Sequence, residues 1–374
     1  MDGSPEHRQR IARLTPLDDV LRRITACVAP VTPRDMRAAA ALGATLAQDI
    51  AVADPHPAVP LALIDGWAVH AEATADAGAC APVLLAQARE VAVGEPLGSG
   101  GDAVAPLEAV TWRGGSGEVH MAVTAGDGVL MPGTDAAPGE VLRRAGHRLR
   151  AIDVAAMRAL GIAGARVRKP RIRVARAGRG RNDIADAAAD WLAYAIAADG
   201  GEPVVSRPGA DPDAILTGGG VDAVVLVGGT GAGAGDATVH ALARTGAVET
   251  HGIAISPGET AAFGMANARP VLLIPGRLDA AVSVWLLIGR AMLTKLRGGD
   301  DNQPARNSTL TAKAASAVGI AELVLVRRVA DGVEPLASQY LPLATLAQAD
   351  GWILVPAASE GLPSGARVAV RPLP

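Results

Sequence analysis

Aromatic residues are scarce in this sequence. Its 374 residues include five tryptophans, two tyrosines and one phenylalanine, although 49% of all residues are hydrophobic. Buried cores must therefore be built from alanine, valine, leucine and isoleucine, and few side chains are available to stack on nucleic-acid bases. The net charge of −3 provides no general attraction to nucleic acid or to acidic membranes. We therefore expect a globular protein that binds neither, and any anionic ligand would need a local site.

The sequence also contains few cysteines and few long hydrophobic runs. Cys27 and Cys80 lack the close spacing of a zinc site, and we expect a reducing compartment, with a disulfide between them left open. The first eight residues lack the apolar core of a secretory signal. The most hydrophobic helix-like run, 280–296, is interrupted by Arg290 and holds too few apolar residues to cross a bilayer. These features predict a cytoplasmic protein without a membrane span.

Glycine and proline are abundant, with 44 and 26 residues, which indicates many turns. The length predicts roughly two to four domains. A helix is expected after Pro16, and a second amphipathic segment around 36–50. Short apolar runs between glycine-rich turns predict a small β domain at about 66–128, and a final β-rich module follows the polar linker 298–308.

Residues 170–297 alternate between apolar strands and helices. The runs 224–227 and 271–274 read as buried strands, and 183–198 reads as a helix. This alternation predicts a parallel sheet whose ligands bind at the carboxyl ends of its strands.

A glycine-rich loop follows the first of these strands. It contains five candidate ligand-binding residues: Gly228, Gly229, Thr230, Gly231 and Thr238. Glycines allow backbone N–H groups to converge on a phosphate, and a following helix N-terminus adds partial positive charge. The loop lacks the Gly-Lys-Ser/Thr of a P-loop, so a flexible connector is an equally good interpretation at this point.

Two Pro-Gly turns supply further candidates, at Pro257-Gly258 and Pro275-Gly276. Each alone is most often an ordinary turn, and so is the Asp65-Gly66 pair. The glycine-rich loop and the two Pro-Gly turns are expected to converge on one edge of the sheet, and three such loops together favour a binding crevice.

In this order and spacing, the loops resemble the MoeA/gephyrin-E family over nearly the whole chain. The matching segments are 63–69 with Asp65, 132–142 with Asp135, 228–238 with Asp236, 257–264, 275–276 and the C-terminal 346–362.

The resemblance implies an α/β multidomain fold with four domains. They are an elongated N-terminal α/β domain in two pieces (1–65 and 129–168), an inserted β domain (66–128), a molybdopterin-binding α/β domain with a parallel sheet (169–299) and a C-terminal β-barrel-like domain (306–374). It also implies a homodimer with its active site shared between subunits, and a molybdoenzyme or another cofactor-biosynthesis protein is a further possible partner.

The implied reaction is the insertion of molybdenum from molybdate into adenylylated molybdopterin, with release of AMP and the help of Mg²⁺. The resemblance assigns Asp65, Asp135 and Asp236 to catalysis and Asp236 also to the metal. Carboxylates suit a hard cation or a water molecule. The glycine-rich and Pro-Gly loops would bind molybdopterin or its adenylylated form.

Several reactive positions depart from the family pattern. The segment 176–180 (Arg-Ala-Gly-Arg-Gly) lacks two acids, Ser256 and Glu259 replace two lysines, and Arg277 replaces an asparagine. One interpretation makes the basic residues a solvated rim. The other makes Arg179 and Arg277 substitute anion ligands, since arginine suits phosphate and oxyanion contacts. The function is accordingly either a molybdopterin molybdotransferase or a catalytically impaired carrier of molybdopterin or the finished cofactor.

Overall fold

The computed structural model describes residues 9–85, 88–113, 116–178, 180–206, 209–233, 235–299 and 305–374. The chain divides into two compact units. The first comprises Met1–Gln48, Ala145–Ala155 and Ala163–Pro374, and the second comprises Asp49–Arg144 and Ala156–Ile162. In the described ranges, every helix is too short or too polar to cross a bilayer.

The helices of the described residues are α1 Leu17–Cys27, α2 Ala151–Ala159, α3 Asp183–Ala198, α4 Pro212–Thr217, α5 Thr238–Thr245, α6 Leu278–Val284, α7 Arg290–Arg297 and α8 Leu343–Gln348. A π-helical turn, Trp285–Gly289, joins α6 to α7. Short 3₁₀ turns occur at Ala71–Thr74, Gly98–Gly100 and Leu107–Ala109.

The strands up to the α/β domain are β1 Arg34–Arg37, β2 Thr45–Leu46, β3 Ile50–Ala51, β4 Leu61–Ala62, β5 Gly66–Val69, β6 Val83–Leu85, β7 Arg89–Val91, β8 Ala103–Pro106, β9 Val110–Arg113, β10 Ser116–Val119, β11 Val129–Leu130, β12 Val141–Arg143 and β13 Gly164–Arg168. The remaining strands are β14 Arg171–Arg176, β15 Glu202–Val205, β16 Ala223–Val227, β17 Gly246–His251, β18 Ile255–Ser256, β19 Ala262–Ala266, β20 Arg269–Ile274, β21 Arg306–Thr309, β22 Ala314–Ala315, β23 Ala321–Val329, β24 Gly332–Ala337, β25 Gly351–Val355, β26 Gly361–Leu362 and β27 Arg367–Val370.

A six-stranded sheet in the order β15-β14-β16-β20-β19-β17 forms the centre of the first unit. The first four strands are parallel, as the sequence predicts, and β16 is buried along its whole length. The last two strands were not predicted: β19 pairs antiparallel with β20, and β17 pairs antiparallel with β19. Because β14, β16 and β20 are parallel, their carboxyl ends meet at one edge of the sheet.

Helix α3 packs on this sheet through a face of alanine, leucine and isoleucine side chains. The Asn182 side chain caps the helix by accepting the Ala185 N–H at 3.1 Å. At its other end, the buried Asp199 carboxylate accepts from Trp285 Nε1 at 2.8 Å and from Arg290 Nε at 2.9 Å. These contacts fix the end of α3 against the π-helical turn and the start of α7.

The C-terminal strands also belong to the first unit. Strand β23 pairs with β24 and β25 and, in parallel, with β18. Because β18 ends at Ser256, the C-terminal sheet holds one end of the Pro257-Gly258 loop.

The predicted amphipathic segment at 36–50 is wrong as a regular element. It contains the end of β1, a turn and β2. Both of these strands pair with β13. Partners more than one hundred residues away decide this conformation, and no local pattern reports them.

The second unit consists of small antiparallel sheets, as the glycine-rich turns predict. Its sheets are β7-β5-β8, β6-β10-β9 and the pairs β11-β4 and β12-β3. The rings of Trp67 and Trp112 meet with centroids 5.0 Å apart. The second unit thus places its two large aromatic rings side by side, while most of its core is aliphatic.

Candidate functional site

Three loops meet at the carboxyl edge of the six-stranded sheet. The Ala177 N–H donates to the Val227 carbonyl at 2.8 Å, and the Gly228 N–H donates to the Ile274 carbonyl at 2.7 Å. A β-carbon added at Gly276 would lie 3.5 Å from the Gly228 α-carbon. The loops that follow β14, β16 and β20 are therefore in van der Waals contact, as expected from the parallel order.

Two consecutive positions of the loop after β16 require glycine. Gly228 and Gly229 have φ angles of +93° and +73°, a region that other residues enter only at a cost. A β-carbon at Gly229 would also approach Thr238 Cγ2 to 2.9 Å. The backbone turns sharply here, which brings peptide groups rather than side chains to the edge of the sheet.

The Gly229 carbonyl is the anchor of this loop. It accepts the Thr238 N–H at 3.1 Å, the Thr238 hydroxyl at 2.7 Å and the Gln9 amide at 2.9 Å. The same Gln9 amide nitrogen donates to the Gly231 carbonyl at 2.8 Å. Gln9 is 3% exposed and lies 220 residues from the loop, so nothing in the sequence pointed to it.

Gln9 also changes the expectation for the helix that follows. Its side-chain oxygen accepts the N–H groups of Val239 and His240 at 2.7 and 3.3 Å. These N–H groups belong to the first turn of α5, where the sequence suggested an anion would bind. In this structure the protein itself satisfies them.

Asp236 closes the far end of the glycine-rich loop. Its Oδ2 atom accepts the Gly233 N–H at 2.8 Å, and a β-carbon at Gly231 would lie 2.8 Å from that atom. Among the described residues, no group of three or more His, Cys, Asp or Glu side chains could hold a metal ion. A single half-buried carboxylate fits Mg²⁺ only as an ion shared with phosphate groups of a substrate.

The Pro257-Gly258 loop joins this edge through hydroxyl groups. Thr230 is 2% exposed, and its hydroxyl lies 3.0 Å from the hydroxyl of Thr260. The Thr230 carbonyl lies 3.0 Å from His251 Nε2. Neither Thr260 nor His251 was a sequence candidate, because single Thr and His residues carry no distinctive pattern.

Arg277, at the loop after β20, is held by other protein groups. It forms an ion pair with Asp279, donating from Nε at 3.0 Å, and its guanidinium lies 5.3 Å from the Tyr340 ring centroid. The Asp279 hydrogen bond raises the pKa of Arg277 above its usual value, and nearby Glu259 adds to the effect. Over half of the Arg277 side chain remains exposed, so a ligand can still reach it.

The segment after β14 is organised by Arg176, whose side chain is buried. Its Nε donates to Asp186 at 2.6 Å, and its other nitrogens donate to the carbonyls of Ala177, Gly178 and Gly180 at 3.2, 3.1 and 2.7 Å. Arg176 therefore shapes this loop. The predicted anion ligand Arg179 lies outside the described residues.

Comparison with known families agrees with this geometry. Residues 15–161 match the model described as "MoeA N-terminal region (domain I and II)", and residues 173–295 match one described as "Probable molybdopterin binding domain". The two matched regions are consecutive along the chain and do not overlap.

The chain belongs to the MoeA family.

Individual relatives of this MoeA-family chain span nearly its full length. It is 28% identical to "Molybdopterin molybdenumtransferase 1" of Mycobacterium tuberculosis over 405 aligned positions, covering 90% of this chain and 94% of that protein. The crystal structure of a molybdopterin biosynthesis MoeA protein from Pyrococcus horikoshii superimposes with a TM-score of 0.71 at 25% identity, covering 97% and 100% of the two chains. A second structure from that organism gives 0.69 at 21% identity and supports the fold alone.

The remaining two candidates lie in the second unit, within the MoeA N-terminal region. Asp65 is exposed and accepts the Val93 N–H at 2.9 Å. Gly66 must be glycine because a β-carbon there would lie 2.2 Å from the Ala105 carbonyl oxygen. Asp135 is also exposed, and its N–H donates to the His56 carbonyl at 3.0 Å. Their roles remain predictions from the family resemblance.

Proposed function

We propose that this protein acts in molybdenum cofactor biosynthesis as a molybdopterin molybdenumtransferase, and that a molybdopterin-type ligand binds at the carboxyl edge of the six-stranded sheet. The observation that carries the proposal is the contact among the loops after β14, β16 and β20. Ligands of open parallel sheets bind at this edge. The match to a molybdopterin-binding domain model over 173–295 supports the same location.

The proposed reaction takes adenylylated molybdopterin and molybdate, inserts molybdenum into the dithiolene and releases AMP. The sharply turned backbone at Gly228 and Gly229 lets the ligand approach peptide groups closely. Asp236 would hold Mg²⁺ jointly with substrate phosphate. When bound, Mg²⁺ would neutralise the negative charge that develops on the departing phosphate. The exposed guanidinium of Arg277 would contact an anionic group of the ligand.

A second candidate is a carrier that binds molybdopterin or the finished cofactor without turnover. The observation that favours it is the local charge. Arg277 is paired with Asp279, and Glu259 lies near enough to influence its pKa. Ser256 and Glu259 stand where the family pattern has lysines, so the protein contributes little positive charge to attract molybdate.

Further parts of the proposal concern assembly and location. We propose a homodimer in which Asp65 and Asp135 of one subunit complete the site of the other, as the family resemblance implies. A molybdoenzyme or another cofactor-biosynthesis protein would receive the product. Two exposed cysteines that remain free thiols support a reducing, cytoplasmic location.

The decisive experiment incubates the full chain with adenylylated molybdopterin, with and without molybdate and Mg²⁺, and measures AMP release. Molybdate-dependent AMP release would support the enzyme. Tight binding without AMP release would establish the carrier, and no binding would overturn both.

Asp236→Asn tests the assignment of the metal-sharing carboxylate. It removes the charge but keeps an oxygen that can accept the Gly233 N–H. We expect AMP release to fall by roughly 100-fold or more while ligand binding persists. Asp190→Asn, on the exposed face of α3, is the matched control and should retain full activity. Equal activity of the two variants would exclude Asp236 from the reaction.

A further inference from the structure

A cavity lies at the edge of the six-stranded sheet opposite the candidate functional site. Its volume is about 410 Å³, within the size range of small-molecule sites. Arg171 begins β14, Asp222 precedes β16 and Arg269 begins β20, and all three residues line the cavity. Because these strands are parallel, the cavity lies at their amino ends and is separate from the candidate functional site.

The lining of this amino-edge cavity is strongly cationic. In the part of the chain that the structure describes, four basic side chains (Arg34, Lys169, Arg171 and Arg269) face a single lining carboxylate, Asp222. The protein as a whole carries a net charge of −3, so this concentration of positive charge opposes the overall balance. A concave site with one sign of charge focuses the electrostatic potential and raises the local concentration of oppositely charged ligands.

Neutral groups hold two of the four cations. Lys169 Nζ donates to the carbonyls of Ala40 and Leu42 at 3.0 and 3.3 Å. Arg269 donates to two carbonyls of the segment at the end of α4, at 2.6 and 2.9 Å. Carbonyl acceptors fix the position of a cation without cancelling its charge. Both side chains are therefore preorganised and still able to attract an anion.

The other two cations share one acid. Arg34 and Arg171 both form ion pairs with Glu202, the latter from Nε at 3.5 Å. Asp222 is partly engaged as well, because its Oδ2 atom accepts the Arg171 backbone N–H at 2.6 Å. The acids around the cavity therefore compensate only part of the positive charge.

Arg269 reports the resulting electrostatic environment. Burial lowers its pKa, and repulsion from Arg173 lowers it further, while Asp222 opposes these effects. A bound anion would relieve this repulsion.

We propose that the amino-edge cavity binds a small polyanion bearing phosphate groups, with Lys169 and Arg171 as principal ligands and Arg34 and Arg269 as flanking ones. Arginine and lysine together match phosphate through bidentate and point-charge contacts. The cavity has room for a pyrophosphate or a small phosphorylated metabolite. This site is independent of the proposed reaction at the carboxyl edge.

Cys27 provides a direct probe, because it is exposed and lines this cavity. Cys80 is also exposed and belongs to the second unit, which makes it an internal control. The experiment treats the full chain with the neutral reagent iodoacetamide and follows alkylation of each cysteine by mass spectrometry. Inorganic pyrophosphate at millimolar concentrations should slow modification of Cys27 and leave Cys80 unchanged. Identical rates at Cys27 with and without pyrophosphate would overturn the proposal.

Variants locate the bound anion. The Lys169→Gln/Arg171→Gln double variant should weaken pyrophosphate affinity, measured by calorimetry, by roughly 100-fold or more, because two charge-assisted hydrogen bonds are lost. Arg171→Lys keeps the charge and should remain within roughly 10-fold of the parent. Arg277→Gln, at the carboxyl edge, should leave the protection of Cys27 by pyrophosphate unchanged, because Arg277 does not line the cavity. If Arg277→Gln abolishes binding while the double variant preserves it, pyrophosphate binds at the candidate functional site and the proposed cavity site is refuted.

Discussion

Arg176 gives the sharpest test of how the candidate site is built. Its side chain is 7% exposed and contacts Asp186 and the carbonyls of Ala177, Gly178 and Gly180. Arg176→Met keeps most of the apolar stem and removes all four hydrogen bonds. We therefore expect the loop after β14 to open locally while the sheet stays folded.

The size of the effect follows from the partners that are left behind. Removing one member of a buried ion pair costs about 3–5 kcal/mol. Asp186 is 37% exposed and can be rehydrated, which favours the lower end of that range. We expect the loop to lose about 3 kcal/mol of local stability, which corresponds to roughly 100-fold weaker protection of its amides.

Amide hydrogen exchange followed by mass spectrometry measures this directly. The Ala177 N–H reports on the loop because it donates to the Val227 carbonyl at 2.8 Å. Arg173→Met is the matched control on the same strand. Arg173 also donates to three carbonyls, those of Ile215, Gly218 and Gly219, but these lie at the end of α4.

The two variants should therefore loosen different segments of the protein. Arg176→Met should accelerate exchange at Ala177 and weaken molybdopterin binding, whereas Arg173→Met should loosen the segment 215–219 alone. If Arg176→Met leaves the Ala177 amide protected, the loop is held by its backbone and the positioning role of Arg176 is wrong.

Two further predictions concern the packing behind the site, and urea unfolding measures both. Asp199→Ala leaves the buried Arg290 without its carboxylate and should cost about 3–5 kcal/mol, against less than about 0.5 kcal/mol for the exposed Asp190→Ala control; equal midpoints would contradict the ion-pair argument. Gly289→Ala would place a β-carbon 2.2 Å from Trp285 Cε3 and should cost about 1–3 kcal/mol of folding stability. In contrast, a β-carbon at Gly219 meets no atom of the described residues within 4 Å, so Gly219→Ala should be nearly neutral.

Local sequence signals predicted the elements whose causes are local. Helix α3 begins and ends where the sequence places it, because Asn182 caps it and an apolar face runs along its length. Strands β16 and β20 are recognisable because their residues are almost all apolar. Strands β17 and β19 contain alanine and glycine, which are depleted in strands, so they were missed.

The site was predictable only in part, for a similar reason. The glycine-rich and Pro-Gly loops stand out because positive φ angles and sharp turns need those residue types. Gln9 and Thr260 do not stand out, because their importance comes from contacts across the fold. Gln9 lies 220 residues from Gly229, and only the folded structure brings the two together.

The run of basic residues from Lys169 onward shows why charge along a sequence does not define one site. Strand β14 is six residues long, so its first and last residues are about 17 Å apart. Lys169 and Arg171 line the amino-edge cavity, Arg173 holds the end of α4, and Arg176 shapes the loop at the carboxyl edge. The positive charge is thus distributed over both edges of the sheet. At the carboxyl edge, most of the described basic groups already form hydrogen bonds or ion pairs with other protein groups. The anion binding that we propose at the carboxyl edge would therefore depend on peptide groups, on Arg277 and on a metal ion brought by the substrate.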